Sequence, residues 1–287
     1  MPKLAALRYY GGKSSNSRTQ TGAWIASLLP YVQHSCYCEP FGGMVGVLLQ
    51  RPPVSVEIVN DIHGDLIHWW LTVRDHAEEF AELVYWTPQS RDVFETLRDD
   101  LFAGNLEGLQ RALAVHVVLT QSFNATVNVR STWAVRYVYD TGSAARVHPR
   151  WQFLQLRDRV CNVRFENTCA LKLIDRVRLL PDAVLYLDPP YEGTAVHHYT
   201  NHQVDFDALR ELLKQPDNRA RIAISSYGQT YDCLGWFRHE KPVKTPSANG
   251  ADHINKSRTE VLWTNYKPES TAAPLFDSLE VPEGSRQ

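Results

Sequence analysis

No stretch of this chain is apolar for long enough to cross a bilayer as a helix. No charged-then-apolar leader opens it, since Lys3 is followed by only a short apolar patch. The five cysteines are an odd number without regular spacing, which fits reduced thiols in a cytoplasm better than a stapled secreted scaffold. Cys36 and Cys38 lack a second cysteine pair or a well-spaced histidine pair. They read as buried strand thiols, and no metal site is expected. Gly11-Gly12-Lys13-Ser14-Ser15 lacks the first glycine of a phosphate loop, which argues against a nucleotide triphosphatase. No internal repeat is visible. Lysine is missing over a long span, from Ser14 to Leu171.

Across that span arginine carries the positive charge. The formal net charge of −2 argues against a nucleic-acid partner, but its distribution argues for one. Arg111, Arg130, Arg136, Arg146, Arg150, Arg157, Arg159 and Arg164 face only Asp140 and Asp158 between Gln110 and Arg164. Phe123, Trp133, Tyr137, Tyr139, Trp151 and Phe153 are interleaved with them. Guanidinium groups suit planar, bidentate contact with phosphate or guanine. Any single arginine is as well explained by a solvated surface, but the cluster favours nucleic acid.

A chain of 287 residues has room for one large domain or a domain with a sizeable insert. Ser35 to Glu39 reads as a strand, followed by a Gly42-Gly43 turn and a helix over Met44 to Gln50. Val54 to Asn60 is a β-branched second strand, and a long helix starts near Gly64. Helical segments follow, including Arg91 to Phe102 and Leu106 to Phe123. Strand patterns return at Val163 to Glu166, Ala183 to Leu187, Arg221 to Ser225 and Val261 to Asn265, with a helix over Phe206 to Leu213 begun by Asp205 and Asp207. Strands alternating with helices predict an α/β fold with a doubly wound, mostly parallel sheet. Residues 75–159 form a mainly helical insert between two parts of the sheet domain, 1–74 and 160–266; 267–287 reads as a loose tail. The polar run from Asn249 to Ser257 reads as a loop.

The strand Val184 to Leu187 runs into Asp188-Pro189-Pro190-Tyr191. The Asp188 carboxylate and a carbonyl of the proline-stiffened turn can accept the two hydrogens of an exocyclic amine. The Tyr191 ring offers a face on which a base can stack. Upstream, a glycine-rich turn after the first strand lets backbone approach a ligand closely at Gly43. Asp61, ending the second strand, is placed to accept from ribose hydroxyls, with Glu39 nearby. Together these favour a nucleoside cofactor.

The motifs stand in the order Tyr9-Tyr10-Gly11-Gly12-Lys13, Glu39-Pro40-Phe41-Gly42-Gly43, Asn60-Asp61, Asp188-Pro189-Pro190-Tyr191. This order resembles the Dam-like DNA adenine-N6 methyltransferases, the D12 or alpha class, over roughly Leu7 to Tyr266. The resemblance implies a Rossmann-like class I methyltransferase fold with S-adenosylmethionine as cofactor. Tyr9, Gly12, Lys13, Glu39, Pro40, Phe41, Gly43, Asp61 and Asp188 are then its contacts. Asp188, Pro189, Pro190 and Tyr191 would be catalytic, acting on a flipped adenine. The insert would read double-stranded DNA through Asn124, Asn128, Arg130, Arg136 and Arg146. It also implies a monomer in the cytoplasm of a bacterial or phage-infected cell, with a restriction or defence system as a possible partner.

The chain departs from the family at Val45, where a small residue is common, and at Ala125 and Asn128, so neither cofactor affinity nor the GATC target transfers. His197, His198 and His202 suggest a loop near DNA or a lid. A cytosine-N4 enzyme, a silent DNA-binding homologue and a small-molecule methyltransferase stay open as alternatives. Asp at the head of the tetrapeptide favours adenine.

Overall fold

The structure is a computed structural model and describes residues 4–9, 11–13, 20–122, 125–127, 131–134, 149–192, 204–244 and 257–268. Its strands are β1 (Cys36–Glu39), β2 (Val56–Asn60), β3 (Val163–Glu166), β4 (Ala183–Leu187), β5 (Arg221–Tyr227), β6 (Phe237–Lys244) and β7 (Ser257–Thr264). Its helices are α1 (Thr21–Leu28), α2 (Gly64–Asp75), α3 (Ala77–Trp86), α4 (Arg91–Ala103), α5 (Gly108–Gln121), α6 (Arg150–Val160), α7 (Ala170–Val177) and α8 (Phe206–Leu213).

The strands make one sheet in the order β3-β2-β1-β4-β5-β7-β6. The pairs among β1 to β5 are parallel, and β7 runs antiparallel between β5 and β6. Central β4, Ala-Val-Leu-Tyr-Leu, is buried along its whole length, as a strand covered on both faces must be. Successive side chains point to opposite faces, so two cores form. Tyr37, Val59, Val184, Tyr186 and Ala223 pack beneath α2, α5 and α6. Cys38, Leu185, Leu187, Ile222 and Ile224 pack against α7 and α8. This is the doubly wound α/β fold that the strand pattern predicts.

Helices α3 to α6 share the first of these cores. Trp69 and Trp70 of α2 meet edge to face at 4.9 Å. Phe80 of α3 approaches Trp69 at 6.3 Å and Phe153 of α6 at 5.3 Å. Helix α5 is buried from Ala112 to Leu119, which explains an apolar run too broad for one amphipathic stripe. Helix α4 ends where Gly104 turns left-handed at φ 75°, and Asp205 caps α8 by accepting from the Ala208 N–H at 2.9 Å.

One expectation changes, and one strand was not anticipated. Met44 to Gln50 is not a helix: only Leu48–Gln50 forms a single 3-10 turn. Gly43 at φ 51° and Val45 at φ 44° are both left-handed, which breaks the helical path. For valine that conformation costs about 1–2 kcal/mol, and full burial of Val45 helps to hold it. Strand β6, charged and carrying Pro242, has no readable strand pattern; it forms because it is the sheet's last strand, where a missing N–H is tolerated. Among the described residues no helix is long and apolar enough to cross a membrane.

Candidate active site

The strand order reverses between β1 and β4, so the connections leaving these two strands diverge and open a crevice at their carboxyl ends. A cavity of about 430 Å³ fills it. Tyr9, Gly12, Lys13, Glu39, Pro40, Phe41, Gly43, Asp61, Asp188 and Pro190 all line this cavity. Segments distant in the chain are thus brought to one place. Tyr191 joins it through Lys13, whose Nζ donates to the tyrosine oxygen at 2.7 Å.

The turn after β1 is built by its neighbours. The Gly42 N–H donates to the Asn60 carbonyl at 2.7 Å. A Cβ at Gly42 would lie 2.5 Å from Val59 Cγ1, so the turn needs glycine there. Trp70 Nε1 donates to the Gly43 carbonyl at 3.0 Å. Asn60, fully buried, donates to the Pro40 and Thr168 carbonyls at 2.9 and 3.1 Å and accepts from the Thr168 N–H at 2.8 Å. It stitches the ends of β1 and β2 to the loop before α7. Its motif neighbour Asp61 was readable as a ligand; the fastening role of Asn60 was not.

Asp61 accepts from the Gly43 N–H on Oδ2 and the His63 N–H on Oδ1, each at 2.8 Å. Burial raises its pKa, and those two N–H groups work in the opposite direction. Each oxygen keeps a further lone pair for a ligand hydroxyl. Burial likewise pushes Glu39 up to about 7, against the Tyr37 hydroxyl that donates to its Oε1 at 2.7 Å.

The far end of the cavity holds a connected polar network. Ser225 of β5 donates to Asp188 Oδ1 at 2.9 Å. With that proton committed, the Tyr186 hydroxyl donates to Ser225 Oγ at 3.0 Å. Lys13 Nζ lies 3.1 Å from the same Asp188 Oδ1 and 3.3 Å from Glu260 Oε1. Tyr191 donates its own proton to Glu260 and sets its ring edge to face against Tyr227 at 4.5 Å. Burial opposes the Lys13 ammonium, but Asp188 and Glu260 outweigh it and hold its pKa well above the usual range. Burial raises the Tyr191 phenol, with the two carboxylates adding to it. Ser225 and Glu260 had no sequence signal, since nothing local marks a strand residue that faces a motif from across the sheet; Tyr186, two residues before Asp188, read only as part of the strand.

Lys13 is also seated by its backbone. A Cβ on Gly22 of α1 would lie 2.2 Å from the Lys13 carbonyl and 2.8 Å from that of Gly46. Both obstacles are backbone and cannot swing aside. Gly22→Ala is therefore expected to displace Lys13 and lower kcat at least about tenfold. Steady-state kinetics beside calorimetric cofactor binding checks this; parent-like kcat in a folded variant would show that the Lys13 position is unimportant.

The residues expected to read DNA, Asn124, Asn128, Arg130, Arg136 and Arg146, lie outside the described residues, as do Ser14, Ser15, His197, His198, His202, most of the loop from Asn249 and most of the tail. Their nearest described flanks are anchored: Arg98 donates to the Ser131 carbonyl at 3.0 Å, Arg91 stacks over Trp133 at 4.8 Å, and the Ala134 N–H meets the Gln121 carbonyl at 2.8 Å. Other arginines of the cluster are engaged internally. Arg111 pairs with Asp65, Arg150 with Glu78, Arg157 with Asp158 and Arg159 with Glu57. Part of the charge bias therefore fastens the helices together.

The donor set fits a nucleoside cofactor bearing a positive centre: a strand-end acid, a glycine turn and apolar walls from Phe41, Ile62 and Leu171, with carboxylates at the far end. The Type II methyltransferase M1.LlaDCHI of Lactococcus lactis subsp. cremoris is 22% identical over 265 residues, 83% of this chain and 91% of the relative. Two solved structures show weaker likeness. A SAM-dependent methyltransferase from Agrobacterium tumefaciens has a TM-score of 0.33 at 11% identity, covering 85% of this chain and only 60% of that one. A precorrin-6y C5,15-methyltransferase from Geobacter metallireducens GS-15 has a TM-score of 0.35 at 10% identity, covering 92% and 98%. The sheet order, not these two likenesses, establishes the fold. The profile of the D12 class N6 adenine-specific DNA methyltransferases matches residues 9–233, and the chain belongs to that family, which methylates adenine in DNA with S-adenosylmethionine as donor.

Proposed function

We propose that this enzyme methylates N6 of an adenine flipped out of duplex DNA, with Asp188 and the Pro189 carbonyl holding the amine. One observation carries the reading. The Ser225 hydroxyl donates to Asp188 Oδ1, the Lys13 ammonium lies nearest that same oxygen, and among the described residues no hydrogen bond reaches Oδ2. The carboxylate is fixed through one oxygen and keeps the other for a ligand. The N6 lone pair is delocalised into the ring, so the amine is a poor nucleophile. Accepting both of its N–H groups favours a more tetrahedral nitrogen whose lone pair points in one direction. Positioning and electrostatics supply most of the acceleration.

Bound in the cavity, S-adenosylmethionine supplies an electrophilic methyl group on a sulfonium. Asp61 would accept from its ribose, the Gly42-Gly43 turn would admit it closely, and Phe41 would pack beside it. Asp188 need not be a strong base, because the amine proton becomes acidic only after nitrogen is alkylated; it then leaves toward Oδ2. An amine inside a duplex is out of reach of such a pocket, so the base flips, and Tyr191 offers its ring to it.

We place the DNA-reading contacts in the span that holds Asn124, Asn128, Arg130, Arg136 and Arg146. The supporting helices of the 75–159 insert join the catalytic core. Action as a monomer in the cytoplasm, within a restriction-modification or defence setting, belongs to the same reading.

The test is transfer of labelled methyl to mixed genomic DNA followed by nucleoside mass spectrometry, with Asp188→Ala alongside. N6-methyladenine from the parent alone supports the reading. N4-methylcytosine, or no methylated nucleoside despite bound cofactor, overturns it.

A further inference from the structure

Glu260 stands outside every motif of the chain and beyond residue 233, where the family match ends. It enters from β7, directly opposite Tyr227 of β5, and is only 3% exposed. Its Oε1 accepts from the Tyr191 hydroxyl and lies 3.3 Å from Lys13 Nζ. Lys13 donates to the Tyr191 oxygen at 2.7 Å and the Gly11 carbonyl at 3.3 Å, and its charge is shared between the Asp188 and Glu260 carboxylates.

That division has a consequence for Asp188. A lysine has three N–H donors and no acceptor. Without a carboxylate at position 260, the ammonium has one anion left, is drawn toward it, and can reach across both Asp188 oxygens. The Oδ2 position needed by the amine would then be occupied. The Tyr191 hydroxyl would lose the carboxylate it donates to, with the Lys13 bond and the edge contact with Tyr227 left to place the ring.

We propose that Glu260 is a positioning residue of the methyl-transfer site, holding Lys13 back from Asp188 Oδ2 and orienting the Tyr191 ring. The proposal rests on the reading of Asp188 as the acceptor of the amine.

Glu260→Gln keeps the shape and removes the charge. Its kcat is expected to fall about ten- to hundredfold, while KM for S-adenosylmethionine, KM for DNA and the melting temperature stay near the parent values. Glu260→Asp keeps the charge and disturbs the packing more, so the expected order of kcat is parent, then Asp, then Gln. A packing role predicts the reverse order for the two variants, with a lowered melting temperature. Parent-like kcat in Glu260→Gln, or Asp worse than Gln, overturns the proposal. If the glutamine variant does not fold, the aspartate variant decides. A kcat below the parent's at unchanged KM supports the proposal, and an equal kcat overturns it. Asp188→Asn, measured in parallel, separates the two claims. If it is inactive while Glu260→Gln is parent-like, only the role of Glu260 fails. If Asp188→Asn is active, the amine-acceptor reading fails and takes this proposal with it.

Discussion

Asp188→Asn is expected to lower kcat by about 10²–10³-fold while leaving cofactor affinity within a few-fold of the parent. Asparagine keeps the shape of aspartate and retains one carbonyl oxygen, and an amide oxygen can accept a hydrogen bond. The surroundings decide how that amide is oriented. Ser225 donates at 2.9 Å and the Lys13 ammonium lies at 3.1 Å, both on the Oδ1 side. The ammonium accepts nothing, so it can face only the amide oxygen, and Ser225 donating to that same oxygen leaves its own to receive the Tyr186 hydroxyl. The amide oxygen is therefore held at the Oδ1 position, and the NH₂ is directed to where the substrate amine must donate. Two donors then face each other. The loss should appear in kcat and in kcat/KM alike, as for an interaction made with the reacting amine. Kinetics on duplex DNA with calorimetric cofactor binding checks it. Activity within tenfold of the parent would mean that Oδ2 is not the acceptor.

The residues legible in the sequence are those whose local pattern already carries meaning. A β-branched strand ending in Asn60-Asp61, a glycine turn and Asp188-Pro189-Pro190-Tyr191 each join a recognisable strand end to an unusual side chain, and the fold brings them to one cavity. The residues that complete the site carry no such mark. Ser225 is one hydroxyl in a buried strand, and Glu260 is one acid in an interior strand with no motif around it. Their roles arise from pairing with residues 37 and 69 positions away in the chain. The same limit explains the helix expected over Met44 to Gln50: apolar content favoured it, while the left-handed turn at Gly43 is held by bonds to Asp61 and Trp70. The arginine-rich span shows the converse. Composition alone could not separate arginines kept for a partner from those, such as Arg159, that hold the protein together.

Arg159 carries the second large expected effect. Its Nη1 and Nη2 grip both oxygens of Glu57 at 2.7 and 2.8 Å, and Nη2 also donates to the Leu48 carbonyl at 2.9 Å. The two side chains are 10% and 4% exposed. A single guanidinium thus joins α6 to β2 and to the 3-10 turn behind the cofactor loop. Arg159→Met should destabilise the protein by about 3–5 kcal/mol, since it leaves a buried carboxylate without a partner. Most of that cost reflects the stranded charge, because the desolvation of an intact pair offsets much of its attraction. Replacing both residues, Arg159→Met with Glu57→Gln, should therefore recover a large part of the loss. Recovery should be incomplete, because the Leu48 carbonyl loses the guanidinium and keeps only its bond from the Arg51 N–H. Urea unfolding of parent, single and double variants measures this directly. A single variant costing under about 1 kcal/mol would place the pair effectively in solvent. A double variant as unstable as the single one would show that Arg159 acts through Leu48 and the cofactor turn rather than through Glu57.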